Sequence, residues 1–87
     1  MHAVVVRVTI NDPESATQEL KERVVPTASQ APGFVAGYWT RRDNTGLSMI
    51  LFESEDAANS AVERVRQNVP DAVTLDDVEV REVVANA

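Results

Sequence analysis

Cysteine is absent from this chain, and histidine occurs once, as His2. Thiolate and imidazole are the side chains that most zinc sites use, and the thiolate is also the nucleophile of cysteine enzymes. The sequence therefore predicts no metal site, no disulfide and no thiol chemistry. A serine triad is also disfavoured, because no serine has a histidine near it in sequence and no Gly-x-Ser-x-Gly elbow occurs.

Basic side chains are scarce: eight Lys and Arg residues stand against fourteen Asp and Glu residues, which gives a formal net charge of −6. Nucleic acids bind to basic patches, and here Arg41-Arg42 is the one basic pair of note, so no nucleic-acid partner is expected. Long apolar runs are missing too, since none approaches the roughly 20 residues of a membrane span. The chain starts directly in strand-like sequence without a leader pattern. We expect a soluble, cytoplasmic protein with no membrane contact.

The length of 87 residues suits one domain, residues 1–87. A chain this short buries only about 60–65% of the surface that its unfolded form exposes, so it is marginally stable alone. Because disulfides and metal ligands are lacking, self-association is the expected source of further stability.

All aromatic residues lie in one central stretch: Phe34, Tyr38, Trp39 and Phe52. Within it, two segments of aromatic and branched apolar residues, 34–41 and 47–52, flank Asp43-Asn44-Thr45-Gly46. Asn and Gly tolerate the positive φ of a tight reversal, so this pattern predicts a β-hairpin.

Strands and helices are predicted on both sides of the hairpin. A β-branched run, residues 3–10, predicts the first strand. Asp12 and Pro13 then begin a helix, whose apolar stripe is Ala16, Leu20, Val24, Thr27, Ala28 and Ala31. Pro26 lies inside that helix and is expected to bend or split it near Val25.

The second half of the chain repeats this order. Ser54 caps a second helix, whose apolar stripe is Ala57, Ala58, Ala61, Val62 and Val65. Arg64 and Arg66 lie near its C-terminal end, where cations are favoured. A last strand covers 73–84. The order β-α-β-β-α-β predicts a ferredoxin-like α+β fold, with an antiparallel sheet and two helices on one face.

Two segments of the sequence resemble a known superfamily: residues 31–39, APGFVAGYW, and residues 51–58, LFESEDAA. They are similar to the dimeric α+β barrel superfamily, and within it to the antibiotic biosynthesis monooxygenases. The resemblance implies a homodimer in which the open sheet faces of two subunits join into a barrel. It does not imply one activity, because the superfamily includes oxygenases, haem-degrading enzymes, isomerases and ligand-binding proteins.

The haem-degrading branch of the superfamily uses an Asn on the first strand, a Trp on the second helix and a downstream His. Here the first strand has Arg7, the aligned helix segment 57–61 has no aromatic residue, and His2 is the only histidine. We therefore expect no haem and no other cofactor. The quinone-forming monooxygenases need none, because their pocket stabilises a deprotonated polycyclic phenol that reacts with oxygen directly.

Three side chains are candidate ligand-binding residues: Trp39, Tyr38 and Arg7. Trp39 can line a pocket or pack at a dimer interface, and Gly37 two positions earlier is expected to leave room beside the indole for a planar ligand. Tyr38 points to the opposite face of the strand. Arg7 can anchor an anion, or form an ion pair with Glu79 or Glu82. No residue is assigned a catalytic role.

The third strand is apolar on both faces, with Met49 and Leu51 on one side and Ile50 and Phe52 on the other. Two helices can cover only one face of the sheet, so the second face is expected to meet a partner subunit. Ile50, Phe52 and Met49 are the candidate interface residues, and the sequence leaves open which face is used. Two functions follow as hypotheses: a cofactor-independent monooxygenase acting on an aromatic or quinone-type molecule, or a non-catalytic module that binds a small molecule or serves in assembly.

Overall fold

Four strands form one antiparallel sheet in the order β2-β3-β1-β4. The computed structural model describes all residues, 1–87. The strands are β1 (His2–Ile10), β2 (Phe34–Arg42), β3 (Thr45–Phe52) and β4 (Val73–Glu82). The helices are α1 (Pro13–Glu19), α2 (Val25–Ser29) and α3 (Glu55–Gln67), and a π-helical turn, Leu20–Val24, joins α1 to α2. The predicted ferredoxin-like order of elements is confirmed.

The helix ends form as the sequence predicts. The Asp12 carboxylate accepts a hydrogen bond from the Ser15 amide at 3.3 Å, and the Ser54 hydroxyl oxygen accepts one from the Ala57 amide at 3.1 Å. The hairpin reverses at Asp43, whose φ of 54° is left-handed. No helix of the chain combines the length and the apolar character needed to cross a membrane.

The core lies between the sheet and α3. On β1, Val4 pairs with Ile50 of β3 and with Val80 of β4, so these three side chains share the helix-covered face. The buried cluster is Val4, Val6, Ile50, Phe52, Ala58, Ala61 and Val62. Three members of this cluster come from α3, and two of them are alanines, which let the helix approach the sheet closely.

Strand β3 divides the candidate interface residues between the two faces of the sheet. Ile50 is 6% exposed and Phe52 is 1% exposed, because both pack against α3 within the chain. They therefore face the core and are not available to a partner, which corrects the expectation for these two residues. Met49 is 46% exposed on the opposite, open face, so it alone of the three stays an interface candidate.

Pro26 follows the π-helical turn, at the second position of α2. A proline has no amide hydrogen, and its ring crowds the carbonyl four residues earlier in a regular helix. The backbone accommodates it by widening: the Val25 amide donates to the carbonyl of Leu20, five residues back. The predicted interruption near Val25 is therefore present as a change of helix register.

Replacing Pro26 by Ala is expected to stabilise the fold. The gain should stay below the about 3 kcal/mol by which proline is less favourable than alanine inside a regular helix, because the π-helical turn already relieves part of the clash. A regular helix would also rotate Leu20 and Val24, which face the sheet across the cleft described below. Urea unfolding should show the higher stability. A stability equal to or below that of the parent chain would contradict this explanation of the turn.

Candidate functional site

The first helical stretch, residues 13–29, packs less closely on the sheet than α3 does, and within it only α2 has several contacts with a strand, β2. None of its residues in α1, the π-helical turn or α2 is buried, whereas α3 buries three. The space between this stretch, the sheet and α3 is a cleft of about 600 Å³. Ligand sites in proteins are typically concave spaces of about 300–1,000 Å³, so this cleft has the size of a small-molecule site.

The walls of the cleft are mainly apolar. The wall formed by the first helical stretch is the stripe that the sequence predicts: Ala16, Leu20, Val24, Thr27, Ala28 and Ala31. The floor comes from the sheet, including Val6, Val8, Trp39, Ile50 and Leu75, and α3 adds Ala61 and Val65. The predicted stripe therefore faces the sheet as expected, but across a space that could hold a molecule.

Trp39 contributes the only aromatic ring other than Phe52 to the cleft. Its six-membered ring lies over Gly37, where an added Cβ would be 2.6 Å from Cη2 and 2.7 Å from Cζ3. The space above Gly37 is thus filled by the indole itself. This corrects the expectation that Gly37 leaves room there for a planar ligand. Because Gly37 has no side chain, the Trp39 ring occupies that space itself. A ligand can therefore contact the indole only from the side that faces the cleft.

The polar groups of the cleft are hydroxyls, one amide and three guanidinium groups: Thr17, Thr27, Thr40, Ser48, Asn68, Arg23, Arg41 and Arg64. No Asp, Glu or His side chain lines it. The cleft can therefore donate hydrogen bonds and stabilise negative charge, but it supplies no carboxylate or imidazole as a proton acceptor.

Tyr38 and Arg7 lie on the open face of the sheet, away from the cleft. Tyr38 pairs with Met49 in the sheet register and is 64% exposed. Arg7 pairs with Leu47 on one side and with Asp77 on the other, and it is exposed. Of the three candidate ligand residues, only Trp39 reaches the cleft, so the structure does not bring the three together.

Arg7 has neither of the ion pairs expected for it. Glu79 instead accepts a hydrogen bond from Arg81 at 2.6 Å, which raises the pKa of Arg81, with charge attraction as the second cause. Sequence reasoning also missed Ser48, Asn68 and Arg64 as cleft residues. The sequence explains Arg64 by its place near a helix C-terminus. Its spacing along the helix is the same whether the side chain serves that role or lines a cavity.

Comparison with known proteins gives a similarity of fold. No family model matches this chain, and no curated protein matches it. Among solved structures, it is similar to the haem degrader MhuD from Mycobacterium tuberculosis, determined with two haems bound in its active site. The TM-score is 0.54, the sequence identity is 21%, and the match covers 97% of this chain and 98% of that one.

The similarity extends over nearly the whole of both chains. At 21% identity, this similarity shows a common fold and does not show a shared activity. The chain has a ferredoxin-like α+β fold, which it shares with MhuD.

Proposed function

We propose that this protein binds a flat aromatic or quinone-type small molecule in the cleft between the sheet and the first helical stretch. The observation that carries the proposal is the cleft itself: about 600 Å³ lined mainly by apolar residues and by the single tryptophan. Trp39 offers a planar surface, and an aromatic pair contributes about 0.5–1.5 kcal/mol beyond its buried area. The proposed location of the protein is the cytoplasm.

Cofactor-independent oxygenation of that molecule is the second candidate function. The donors that line the cleft favour it, because Ser48, Asn68 and the guanidinium groups can stabilise a bound phenolate. In such a reaction a phenol and O2 give a quinone and water, with one oxygen atom entering the ring and the other leaving as water. With no Asp, Glu or His in the cleft, the substrate must bind already ionised or lose its proton to solvent.

A ligated haem does not fit this cleft. Haem iron is held in proteins by His, Cys, Met or Tyr, and none of these lines the space. His2 lies elsewhere, with Nε2 at 3.8 Å from the Glu55 carboxylate. We therefore propose no haem chemistry for this chain, although MhuD shares its fold.

Fluorescence titration tests the binding proposal, because Trp39 is the sole tryptophan emitter. Titration with flat phenols and quinones, corrected for absorbed light, should quench the emission saturably. Tyr38→Phe is the control, since Tyr38 lies next in sequence but on the other face of the sheet, and it should leave the affinity unchanged. An oxygen electrode then separates the two functions: oxygen uptake with a phenol that binds supports the oxygenase, and binding without uptake supports the binding module.

Two outcomes of these titrations would contradict the binding proposal. If no member of the panel quenches Trp39, the proposed ligand class is wrong. If Tyr38→Phe reduces the affinity as much as Trp39→Phe does, with both affinities measured by calorimetry because Trp39→Phe has no tryptophan emission, the ligand binds on the open face and the cleft is not the site.

We further propose that two chains join through their open sheet faces. Large side chains of β3 and its neighbour β2 are exposed there, with Leu47 at 42% and Met49 at 46% on β3 and Tyr38 at 64% on β2. Arg7 is exposed on the same face without an ion pair in its own chain, so it is free to meet an acid of a second copy. A homodimer would cover this face, which two helices on the other side leave open.

A further inference from the structure

The charged side chains that line the cleft are all of one sign. They are Arg23, Arg41 and Arg64, in a chain whose acids outnumber its basic residues by fourteen to eight. Most of the acids lie on the outer surface, and none of them reaches the cleft. The cleft is therefore a locally cationic region of an anionic protein, which favours a ligand of negative charge.

The three arginines differ in how they are satisfied. Arg23 donates to Glu19 at 2.7 Å, so its charge is already paired. Arg64 is half-buried on α3, and its guanidinium takes part in no ion pair or hydrogen bond within the chain. Its backbone carbonyl accepts a hydrogen bond from the side-chain Nδ2 of Asn68 at 2.9 Å.

The Arg64 guanidinium is charged and has no acceptor within the chain. Arginine stays protonated at any relevant pH, and its five N–H donors cannot be satisfied by losing a proton. A bound anion would accept hydrogen bonds from this charged group, and such charge-assisted bonds are stronger than those between neutral groups. Arg41, exposed and also unpaired, lines the same cleft and can add to the attraction.

We propose that the ligand is anionic: an aromatic acid or an acidic hydroxyquinone whose carboxylate or ionised hydroxyl binds Arg64, with Arg41 in support. This rests on the proposed function, because it names the charge class of the molecule that the cleft takes. The ring system contacts the apolar walls and Trp39, while a bidentate carboxylate matches the fork of the guanidinium.

Calorimetric titration with two probes of equal shape tests this inference. The probes are anthraquinone-2-carboxylate, which is charged at neutral pH, and anthraquinone-2-carboxamide, which is not. The carboxylate should bind about tenfold more tightly, as expected for a charge-assisted hydrogen bond. Arg64→Gln should abolish the preference while the carboxamide keeps its affinity. Arg64→Lys should keep part of the preference for the carboxylate, since lysine keeps the positive charge but lacks the bidentate donors of the guanidinium.

Arg66→Gln is the matched control, because Arg66 is on the same helix and exposed but does not line the cleft. It removes the same net charge and should leave the preference intact. Equal affinity for both probes, or equal loss in Arg66→Gln and Arg64→Gln, overturns the inference and leaves the binding proposal standing. If neither probe gives a heat of binding, both the charge proposal and the binding proposal are contradicted. Circular dichroism of each variant confirms that it is folded.

Discussion

Met49→Asp is expected to give a folded monomer, whereas Ile50→Asp is expected to unfold the chain. The two positions are adjacent on β3, but their side chains lie on opposite faces of the sheet. Ile50 is 6% exposed in the core against α3, and Met49 is 46% exposed on the open face. A carboxylate forced into the core without a partner costs several kcal/mol, which is comparable to the about 5–15 kcal/mol of stability that small domains have.

At Met49 the same carboxylate meets water in the separate chain and loses it only at the proposed interface. Light scattering at micromolar concentration should therefore give twice the 9.5 kDa chain mass for the parent protein and the single mass for Met49→Asp. Circular dichroism should show native structure for Met49→Asp and not for Ile50→Asp. A parent protein that stays a folded monomer, or a Met49→Asp variant that remains dimeric, would rule out the open face as the interface.

Ala28→Phe is expected to raise the stability of the fold and, at the same time, to weaken ligand binding. Ala28 is half-buried on α2 and lines the cleft, so a phenyl ring there can occupy the space between α2 and the sheet. Added apolar burial of this size stabilises a fold by about 1–2 kcal/mol. Because the phenyl ring takes the place of the ligand, the affinity for flat phenols and quinones, measured by quenching of Trp39, should fall by at least about tenfold, or about 1.4 kcal/mol.

Gln30→Phe is the control for this variant, since Gln30 is exposed just beyond α2 and does not line the cleft. It should neither stabilise the fold nor change binding. Thermal unfolding and fluorescence titration of both variants measure the two effects. A cleft-lining phenylalanine that destabilises the chain would mean that the space is not available, and unchanged binding would place the ligand elsewhere.

Local signals in the sequence were sufficient for most of the fold. Asp12 and Ser54 cap their helices through short-range contacts, so each can be recognised without knowing the rest of the molecule. The hairpin was predicted at the right place, although Asp43, and not Asn44 or Gly46, takes the positive φ. The order of elements and the apolar stripe of the first helix follow from periodicity in the same way.

The faces of β3 could not be predicted, because its apolar residues occupy both parities of the strand. Only the pairing of Ile50 with Val4 of β1 decides which residues face α3, and that pairing is between residues 46 positions apart in the sequence. The cleft was missed for a related reason. An apolar stripe indicates which side of a helix faces the sheet, but not how far away the helix lies.

Site residues were the least predictable part. Trp39 was found because it is the single tryptophan on a glycine-containing strand, yet its position over Gly37 depends on the rotamer of the indole. Arg64 could not be distinguished in sequence from Arg66, two residues later, since both suit the end of α3. Only Arg64 lines the cleft, and this follows from the position of the first helical stretch relative to α3, which the sequence does not give.

Amide NMR with a quinone probe tests the central claim, that the cleft is the ligand site, most directly. Titration of the isotope-labelled protein with anthraquinone-2-carboxylate should shift the indole N–H of Trp39 and the amides of Leu20, Val24 and Ser48, which line the cleft. The amides of Leu47 and Met49, whose side chains lie on the open face, should shift much less. Shifts concentrated around Tyr38, Met49 and Arg7, or no shifts at millimolar probe, would contradict the account.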